Sequence, residues 1–342
     1  EAFIDFSANI NPLGPSPQVW PALQAALPRI VHYPCPEGRE LKEKLAGHLG
    51  VPVEQLVLGN GGAELIYALT NFFAPGRVVV SSPTFGEYGR GILHPPMVRI
   101  KLDAGKNFAL EPAPFEKLVQ AGDLIFIGNP NNPTGVLTPR EVVLQLASLA
   151  GDRGATLVVD EAFMDFVEHD QSVARDVSSH SSLVVVGSLT KVFAIPGLRL
   201  GYLVAAKELA RNLEQALPPW RVNALAQAAG LASLADSEHL AATRRIVARE
   251  RQFLAERLQH LGFSVIPGQA NFLLLHGRAL GVTGEALQGF LGPKGVLIRL
   301  CHSFDHLDEY FIRIAVRGRQ ENEKLVSLIR DFLREKEGQG CG

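Results

Sequence analysis

The sequence has few cysteines, no excess of charge of either sign and no long hydrophobic run. Three cysteines occur in 342 residues, Cys35, Cys301 and Cys341, and they lie far apart in the chain. This number and spacing argue against a disulfide framework and exclude a C-x-x-C metal site. We therefore expect a protein of a reducing compartment, the cytoplasm.

The charges nearly cancel, since 33 Lys and Arg stand against 35 Asp and Glu, a net charge of -2. Neither nucleic acid nor an anionic membrane surface is expected as a partner of such a chain. The longest apolar stretches, such as residues 183–187 and 272–275, are far shorter than the ~20 residues that a membrane-spanning helix needs. The expected partner is a small molecule.

Apolar residues make up 46% of the chain, which is ample material for large buried cores. At roughly 150 residues per domain, the length suggests two domains. Short apolar runs alternate with segments of helical periodicity, which predicts an α/β fold around a mainly parallel seven-stranded sheet. The predicted strands are residues 55–58, 77–81, 97–101, 124–127, 156–159, 183–186 and 201–204.

The two ends of the chain differ from this pattern. Residues 1–37 are rich in proline and should be largely extended, with a short helix near residues 19–26. Residues 222–261 are expected to be helical almost without interruption. After residue 262, short strands and helices predict a small α+β domain, with elements at residues 264–266, 271–275, 284–291, 297–300 and 310–315 and a final helix at 319–335.

Lys191 closely follows the apolar strand at residues 183–186, in the run Gly-Ser-Leu-Thr-Lys. An amine in an apolar pocket has a lowered pKa, and the neutral amine attacks carbonyl groups to form a Schiff base. The alternative is a lysine whose amine reaches solvent from a loop. Asp160 ends the strand at residues 156–159, where open α/β sheets place ligand contacts. It would pair with a cation such as a protonated pyridine nitrogen, or else cap the next helix.

Residues 59–66, Gly-Asn-Gly-Gly-Ala-Glu-Leu-Ile, join a strand to a helix start whose free N–H groups suit a phosphate. The spacing fits neither of the common nucleotide-binding glycine motifs. Ser188 and Arg199 would complete a phosphate site. Residues 128–135, Gly-Asn-Pro-Asn-Asn-Pro-Thr-Gly, would point amides above the sheet or form only a rigid turn.

In this order along one chain, these segments resemble the fold-type I pyridoxal-phosphate enzymes. The branch they resemble contains the histidinol-phosphate aminotransferases and, with greater similarity, the threonine-phosphate decarboxylases of cobalamin synthesis. The resemblance covers nearly the whole chain and also rests on residues 5–14, 32–34, 160–166, 188–202, 219–224 and 310–317. It implies an N-terminal arm at residues 1–37 packing on the small domain and a partner subunit, a large cofactor-binding domain at 38–245 and a small domain at 246–342.

The resemblance implies pyridoxal 5′-phosphate as cofactor, with Lys191 as the Schiff-base lysine and Asp160 on the ring nitrogen. Asn132 would bond the ring hydroxyl and Phe85 would stack on the ring. The cofactor phosphate would be held by Gly62, Ala63, Ser188 and Arg199, and by Tyr33 from the other subunit of a homodimer. The implied substrate contacts are Asn9, Asn132, Arg299 and Arg313.

Within this branch, two features favour the decarboxylases. The aminotransferases commonly have a tyrosine where this chain has Phe163, and the run Ser-Ala-Asn-Ile-Asn-Pro-Leu-Gly at residues 7–14 and the segment after Lys191 are similar to the decarboxylases. We predict release of CO2 from O-phospho-L-threonine, with O-phospho-L-serine as an alternative substrate and histidinol-phosphate transamination as the alternative function. An upstream His-Gly-Gly segment that helps hold the substrate phosphate in the family is absent here, so either the sequence is truncated or that contact comes from elsewhere.

Three other features have less specific interpretations. His302 and His306 have a helical metal-ligand spacing, but we expect a solvated loop and no metal. The arginines between residues 244 and 251 would bind an anion or form a wetted helix face, and we expect the latter. A non-catalytic protein of the same fold would be expected to lack the lysine, whereas Lys191 is present.

Overall fold

A computed structural model describes residues 3–91 and 94–340, so the prediction for Cys341 lies outside the described residues. In chain order its strands are β1 (Ile4–Asp5), β2 (Leu56–Gly59), β3 (Val78–Ser82), β4 (Met97–Lys101), β5 (Leu124–Gly128), β6 (Thr156–Asp160), β7 (Leu183–Ser188), β8 (Gly201–Val204), β9 (Ser264–Val265), β10 (Phe272–His276), β11 (Val296–Leu297), β12 (Arg299–Leu300) and β13 (Phe311–Ala315). Its α-helices are α1 (Val19–Ala26), α2 (Arg39–Leu49), α3 (Gly62–Phe73), α4 (Ala113–Leu118), α5 (Arg140–Asp152), α6 (Leu189–Val192), α7 (Lys207–Ala216), α8 (Ala224–Ala235), α9 (Ser237–His260), α10 (Gly284–Leu291) and α11 (Arg319–Gly340).

The large sheet has the strand order β2-β8-β7-β6-β5-β3-β4. Its strands are parallel except β8, which runs antiparallel to both of its neighbours. The connection between β7 and β8, residues 189–200, contains only the short helix α6 and returns the chain beside β7 in the opposite direction. The predicted α/β fold with a mainly parallel seven-stranded sheet is confirmed, and each predicted strand is displaced by at most two residues at either end.

Both faces of the large sheet are covered, which explains why its strands are apolar throughout. Successive side chains of a strand point to opposite faces. Val79 and Ile125 belong to one hydrophobic core, whereas Val78, Val80 and Phe126 belong to the core on the other side. With both faces buried, chemistry is confined to the strand ends and the loops that follow them.

The smaller sheet is antiparallel, in the order β12-β13-β10-β9. The predicted strand at residues 297–300 is instead two short strands, because Ile4 and Asp5 of β1 pair with Val296 and Leu297 while β12 pairs with β13. The N-terminal arm thus adds a parallel strand beside the C-terminal region.

The segment at residues 222–261, predicted to be helical almost without interruption, is helical except at its ends and at Asp236, which separates α8 from α9. Its backbone leaves the helical conformation, at φ -100° and ψ 75°, and its carboxylate accepts a hydrogen bond from the His239 N–H at 3.0 Å. The other carboxylate oxygen accepts from the Ser16 hydroxyl at 2.5 Å. Both contacts favour a helix start at this position over helix continuation.

Helix α9 runs without a break across residues 245 and 246, where we placed a domain boundary, and the division into segments 1–37, 38–245 and 246–342 stays a prediction. The buried Glu250 on α9 accepts hydrogen bonds from Arg319 and Asn322 of α11, which ties the two long helices together. Within the described ranges, no helix is long and apolar enough to cross a membrane.

We predict that Gly187→Ala destabilises the protein, because an added Cβ would lie 2.0 Å from Cζ of the buried Tyr202 ring. Overpacking of a dense core costs about 1–3 kcal/mol, and urea unfolding would measure the loss. The control is Gly289→Ala in α10, where no atom lies within 4 Å of the added Cβ and alanine favours the helix. Equal stability of the two variants would contradict the packing argument.

Candidate active site

The carboxyl ends of β5, β6 and β7 face the N-terminal arm and strands β12 and β13 across a cavity with a volume of ≈ 610 Å³. We call it the active-site cavity. It is lined by eleven of the twelve residues that the sequence predicted for the site: Asn9, Gly62, Ala63, Phe85, Asn132, Asp160, Ser188, Lys191, Arg199, Arg299 and Arg313. Tyr33 is the predicted residue that does not line it.

Lys191 lies on the short helix α6, directly after β7. The arm fixes this helix, since the backbone N–H of Asn11 donates to the Lys191 carbonyl at 3.1 Å and the Asn11 side chain donates to the Val192 carbonyl at 2.7 Å. Burial lowers the pKa of the Lys191 amine, the positive charges of Arg199 and Arg313 lower it further, and Asp160 opposes them. The amine is thereby biased toward its neutral, nucleophilic form.

Asp160 ends β6, and its carboxylate accepts hydrogen bonds from the Tyr88 hydroxyl at 2.9 Å and the Ala162 N–H at 3.0 Å. Burial raises the pKa of this carboxyl, while these two donors and Lys191 oppose the rise. Tyr88 stacks on Phe126 at a ring-centroid distance of 5.2 Å. Burial and the neighbouring carboxylate also raise the pKa of Tyr88 well above its usual value, so the hydroxyl keeps its proton and acts as the donor.

The N-terminus of α3 forms a cradle with space for an anion. Gly61 precedes it with φ +86°, a conformation that favours glycine, and a Cβ there would lie 2.4 Å from Nη2 of Arg199. The glycine therefore lets the guanidinium approach the first turn of the helix. Ser188 lies beside the start of α3, with its Cβ 3.8 Å from a Cβ placed on Gly62, and its hydroxyl is 2.7 Å from that of Thr190. Helix N–H groups, a guanidinium and a hydroxyl together suit a phosphate.

Two arginines face each other across neighbouring strands, because Arg299 of β12 and Arg313 of β13 are register partners. Arg313 is buried and donates to the Ser7 carbonyl at 2.8 Å and to Oδ1 of Asn132. Arg299 is exposed and donates to the Ser303 hydroxyl at 3.0 Å. In the described part of the chain, neither guanidinium has a carboxylate within 4 Å. Burial, together with the charge of Arg299, lowers the pKa of Arg313 to about 10.

The remaining walls are an amide and two aromatic rings. Asn9 is buried, and its Oδ1 has no hydrogen-bond partner among the described residues. Phe85 contacts Tyr88 edge-on at 5.6 Å between ring centroids. Phe163 is buried edge-on against Phe272, so its ring offers the cavity an apolar surface and no hydroxyl.

Tyr33 lies outside the active-site cavity of its own chain. Its side chain is 82% exposed and contacts the ring of Trp220 at 4.9 Å between centroids. Its predicted role toward a neighbouring subunit's cofactor is not tested by the single chain and stays a prediction.

Sequence analysis missed Tyr88 and Arg90, which both line the cavity. Both follow the predicted stacking residue Phe85 within one loop. His306, considered above as a metal ligand, instead contacts the Ser82 hydroxyl at 3.1 Å. Within residues 3–91 and 94–340, no three His, Cys, Asp or Glu side chains are placed to hold a metal ion.

The donor set of this cavity fits pyridoxal 5′-phosphate. The cradle at Gly61 and Arg199 suits its phosphate, the buried carboxylate of Asp160 suits a protonated ring nitrogen, and the amine of Lys191 suits its aldehyde. These three matches involve different chemical groups of one cavity. The fit to the cofactor therefore does not depend on any single residue.

Comparison with known proteins gives concordant results. Residues 1–329 match the family model described as aminotransferase class I and II. The chain is 36% identical to the threonine-phosphate decarboxylase of Salmonella typhimurium, over 97% of this chain and 92% of that protein.

Solved structures have the same fold. The L-threonine-O-3-phosphate decarboxylase of Porphyromonas gingivalis superposes with a TM-score of 0.85 at 27% identity, over 97% of this chain and 99% of that one. The histidinol-phosphate aminotransferase of Clostridium acetobutylicum superposes with a TM-score of 0.89 at 28% identity, with the same coverage. The chain belongs to the aminotransferase class I and II family, and it is a fold-type I enzyme that uses pyridoxal phosphate.

Proposed function

We propose that this enzyme removes CO2 from O-phospho-L-threonine to give (R)-1-aminopropan-2-yl phosphate, a step of cobalamin synthesis, and that it also accepts O-phospho-L-serine. The single observation that carries the proposal is the pair Arg299 and Arg313. Like charges on directly opposed strand positions destabilise a sheet, and both guanidiniums lack a carboxylate partner in the described residues. The pair suits a ligand with its own carboxylate. O-phospho-L-threonine has one and histidinol phosphate has none.

We assign the cofactor contacts as the sequence predicted them. Gly62, Ala63, Ser188 and Arg199 hold the phosphate. Asn132 and Asp160 hold the ring hydroxyl and the ring nitrogen, and Phe85 covers the ring. When bound, the protonated ring of the cofactor accepts electrons from the substrate bond that breaks.

The chain's own residues then determine which bond at the substrate Cα breaks. Arg313 and Arg299 bind the α-carboxylate and Asn9 lies beside it, so the orientation of the carboxylate depends on the protein. Decarboxylation requires the bond to CO2, not the Cα–H bond, to be perpendicular to the cofactor ring. After CO2 has left, Cα needs a proton, and Lys191 is the group that we assign to supply it.

The alternative function is histidinol-phosphate transamination. The structural likeness to the aminotransferase of Clostridium acetobutylicum favours it, since that superposition has the higher of the two TM-scores. Phe163 argues against it, because the aminotransferases commonly have a tyrosine hydroxyl at this position.

We also propose that the enzyme is a homodimer whose subunits share their active sites. A large apolar patch supports this: Trp20, Ile30, Val31 and Tyr33 are 59–82% exposed. Exposed patches of this kind mark interfaces, and a second copy of the chain would cover the patch and bring Tyr33 to a partner's cofactor.

Borohydride reduction of the holoenzyme followed by peptide mapping is expected to place a pyridoxyl group on Lys191, because its amine has the lowered pKa and lies in the active-site cavity. Lys191→Ala should lower turnover by at least about 10³-fold. The controls Lys101→Ala and Lys207→Ala change residues outside this cavity and should keep full turnover. A pyridoxyl group on either of those lysines would overturn the site assignment.

The reaction is tested by incubating the enzyme with O-phospho-L-threonine, O-phospho-L-serine and histidinol phosphate, each with and without 2-oxoglutarate, while CO2 and glutamate are measured. We expect CO2 from the phosphoamino acids in both conditions. One methyl group is worth only ~1–3 kcal/mol in an apolar pocket, so a preference for threonine over serine should be modest. Glutamate from histidinol phosphate, with no CO2 from either phosphoamino acid, would establish the aminotransferase instead.

The shared site is tested by co-expressing two inactive variants, Lys191→Ala and Tyr33→Ala. A mixed dimer would contain one native site, built from Lys191 of one chain and Tyr33 of the other, so activity should return. The control pair, Lys191→Ala with Asp160→Asn, changes two residues of the same chain's cavity and should regain none. No recovery in the first pair, or full activity of a monomer by sedimentation, would contradict the proposal.

A further inference from the structure

Arg90 lies in the loop after Phe85 and lines the active-site cavity from the side of the large sheet. Its side chain is 59% exposed, and its one ion pair in the described residues is a loose contact of 3.7 Å between Nη1 and Oε1 of Glu87. An exposed pair of this geometry contributes little. The guanidinium also lies within hydrogen-bonding reach of the Tyr67 hydroxyl. Neither neighbour is an anion held at close range by Arg90, so exchanging these contacts for a ligand has a small cost.

Glu87 does not depend on Arg90 as its partner. Its Oε2 accepts a hydrogen bond from the Tyr67 hydroxyl at 2.5 Å, and this bond to the carboxylate raises the pKa of Tyr67. The tyrosine thus keeps its proton and holds the carboxylate in place. If Arg90 moves away, the carboxylate of Glu87 therefore still has a hydrogen-bond partner.

The other acidic residues of the cavity wall are also engaged by groups other than the active-site arginines. Asp160 accepts from Tyr88 at 2.9 Å, and Asp305 pairs with Arg99 at 2.5 Å. Positive charge in the cavity therefore exceeds what its own carboxylates balance. This excess of positive charge favours the binding of an anionic ligand.

Each anionic group of the cofactor and substrate in the proposed reaction can be assigned to an arginine of the cavity. Arg199 lies at the α3 cradle of the cofactor phosphate, and the buried Arg313 lies near Lys191, where the carboxylate must be. Resting on the proposed function, we propose that Arg90 binds the phosphate group of the substrate and that it determines selectivity for phosphorylated substrates.

The test uses two amines that differ only in the phosphate, 1-aminopropan-2-yl phosphate and 1-aminopropan-2-ol. Neither has a carboxylate to lose, so binding is measured apart from decarboxylation. Each is titrated into the holoenzyme in phosphate-free buffer, and the visible absorbance of the bound cofactor gives the dissociation constant. The expected change in binding corresponds to the loss of a hydrogen bond between charged groups.

In Arg90→Met, the preference for the phosphorylated amine, as a ratio of dissociation constants, should fall by about 10- to 100-fold. Arg90→Lys should keep part of it, because lysine retains the charge without the planar fork. The matched control is Arg211→Met, since Arg211 is 63% exposed and also pairs with a glutamate three residues earlier, but far from the cavity. Its ratio should equal that of the unchanged enzyme.

An unchanged ratio in Arg90→Met would overturn the assignment of Arg90, whichever reaction the enzyme catalyses. An equal fall in Arg211→Met would also overturn it, because the effect would then be one of general surface charge. If the ratio falls as expected while no CO2 is formed from phosphoamino acids, Arg90 is a phosphate-binding residue and the proposed decarboxylation alone fails.

Discussion

The buried guanidinium of Arg313 is the group on which the arrangement of the active site depends. It lies on β13, donates to the Ser7 carbonyl of the N-terminal arm and donates to Asn132 in the loop after β5. Three segments that are far apart in the chain therefore meet at one cation. These partners accept from its two Nη groups, whereas its Nε is buried without a hydrogen-bond partner in the described residues and its charge has no counter-ion there. A buried charge without a counter-ion is costly. An anion bound beside Arg313 would therefore stabilise the folded chain.

This coupling works in both directions. The proposed carboxylate contact at Arg313 requires the arm, the loop after β5 and strand β13 to be in place together, so a bound anion would stabilise that assembly by mass action. The arm also fixes Lys191 through Asn11. Substrate recognition and the position of the reactive amine thus depend on the same N-terminal segment.

The sequence was sufficient to predict what depends on local patterns. Apolar runs predicted the strands of the large sheet, and polar residues directly after those runs, such as Asp160 and Lys191, were predicted to meet because parallel strands end at one edge. The break at Asp236 was missed because one of its stabilising contacts is Ser16, 220 residues away. The hydrogen bond from Tyr88 to Asp160 was missed for the same kind of reason, since it depends on how the loop after β3 folds over β6.

Opposed pKa shifts of Lys191 and Asp160 connect this geometry to the chemistry. Burial lowers the pKa of the amine and raises that of the carboxyl, so the two groups hold protons with more similar affinity than they would in water. Arg199 and Arg313 add to the shift at Lys191. An anion bound to either arginine offsets its positive charge, and the pKa of the amine then rises again. On the proposed assignments, Arg199 already holds the cofactor phosphate when Lys191 attacks the aldehyde, whereas Arg313 gains its carboxylate only with the substrate. The pKa of the amine would therefore be lower during the attack than at the later step in which the amine gives a proton to carbon, which is the order that these two roles require.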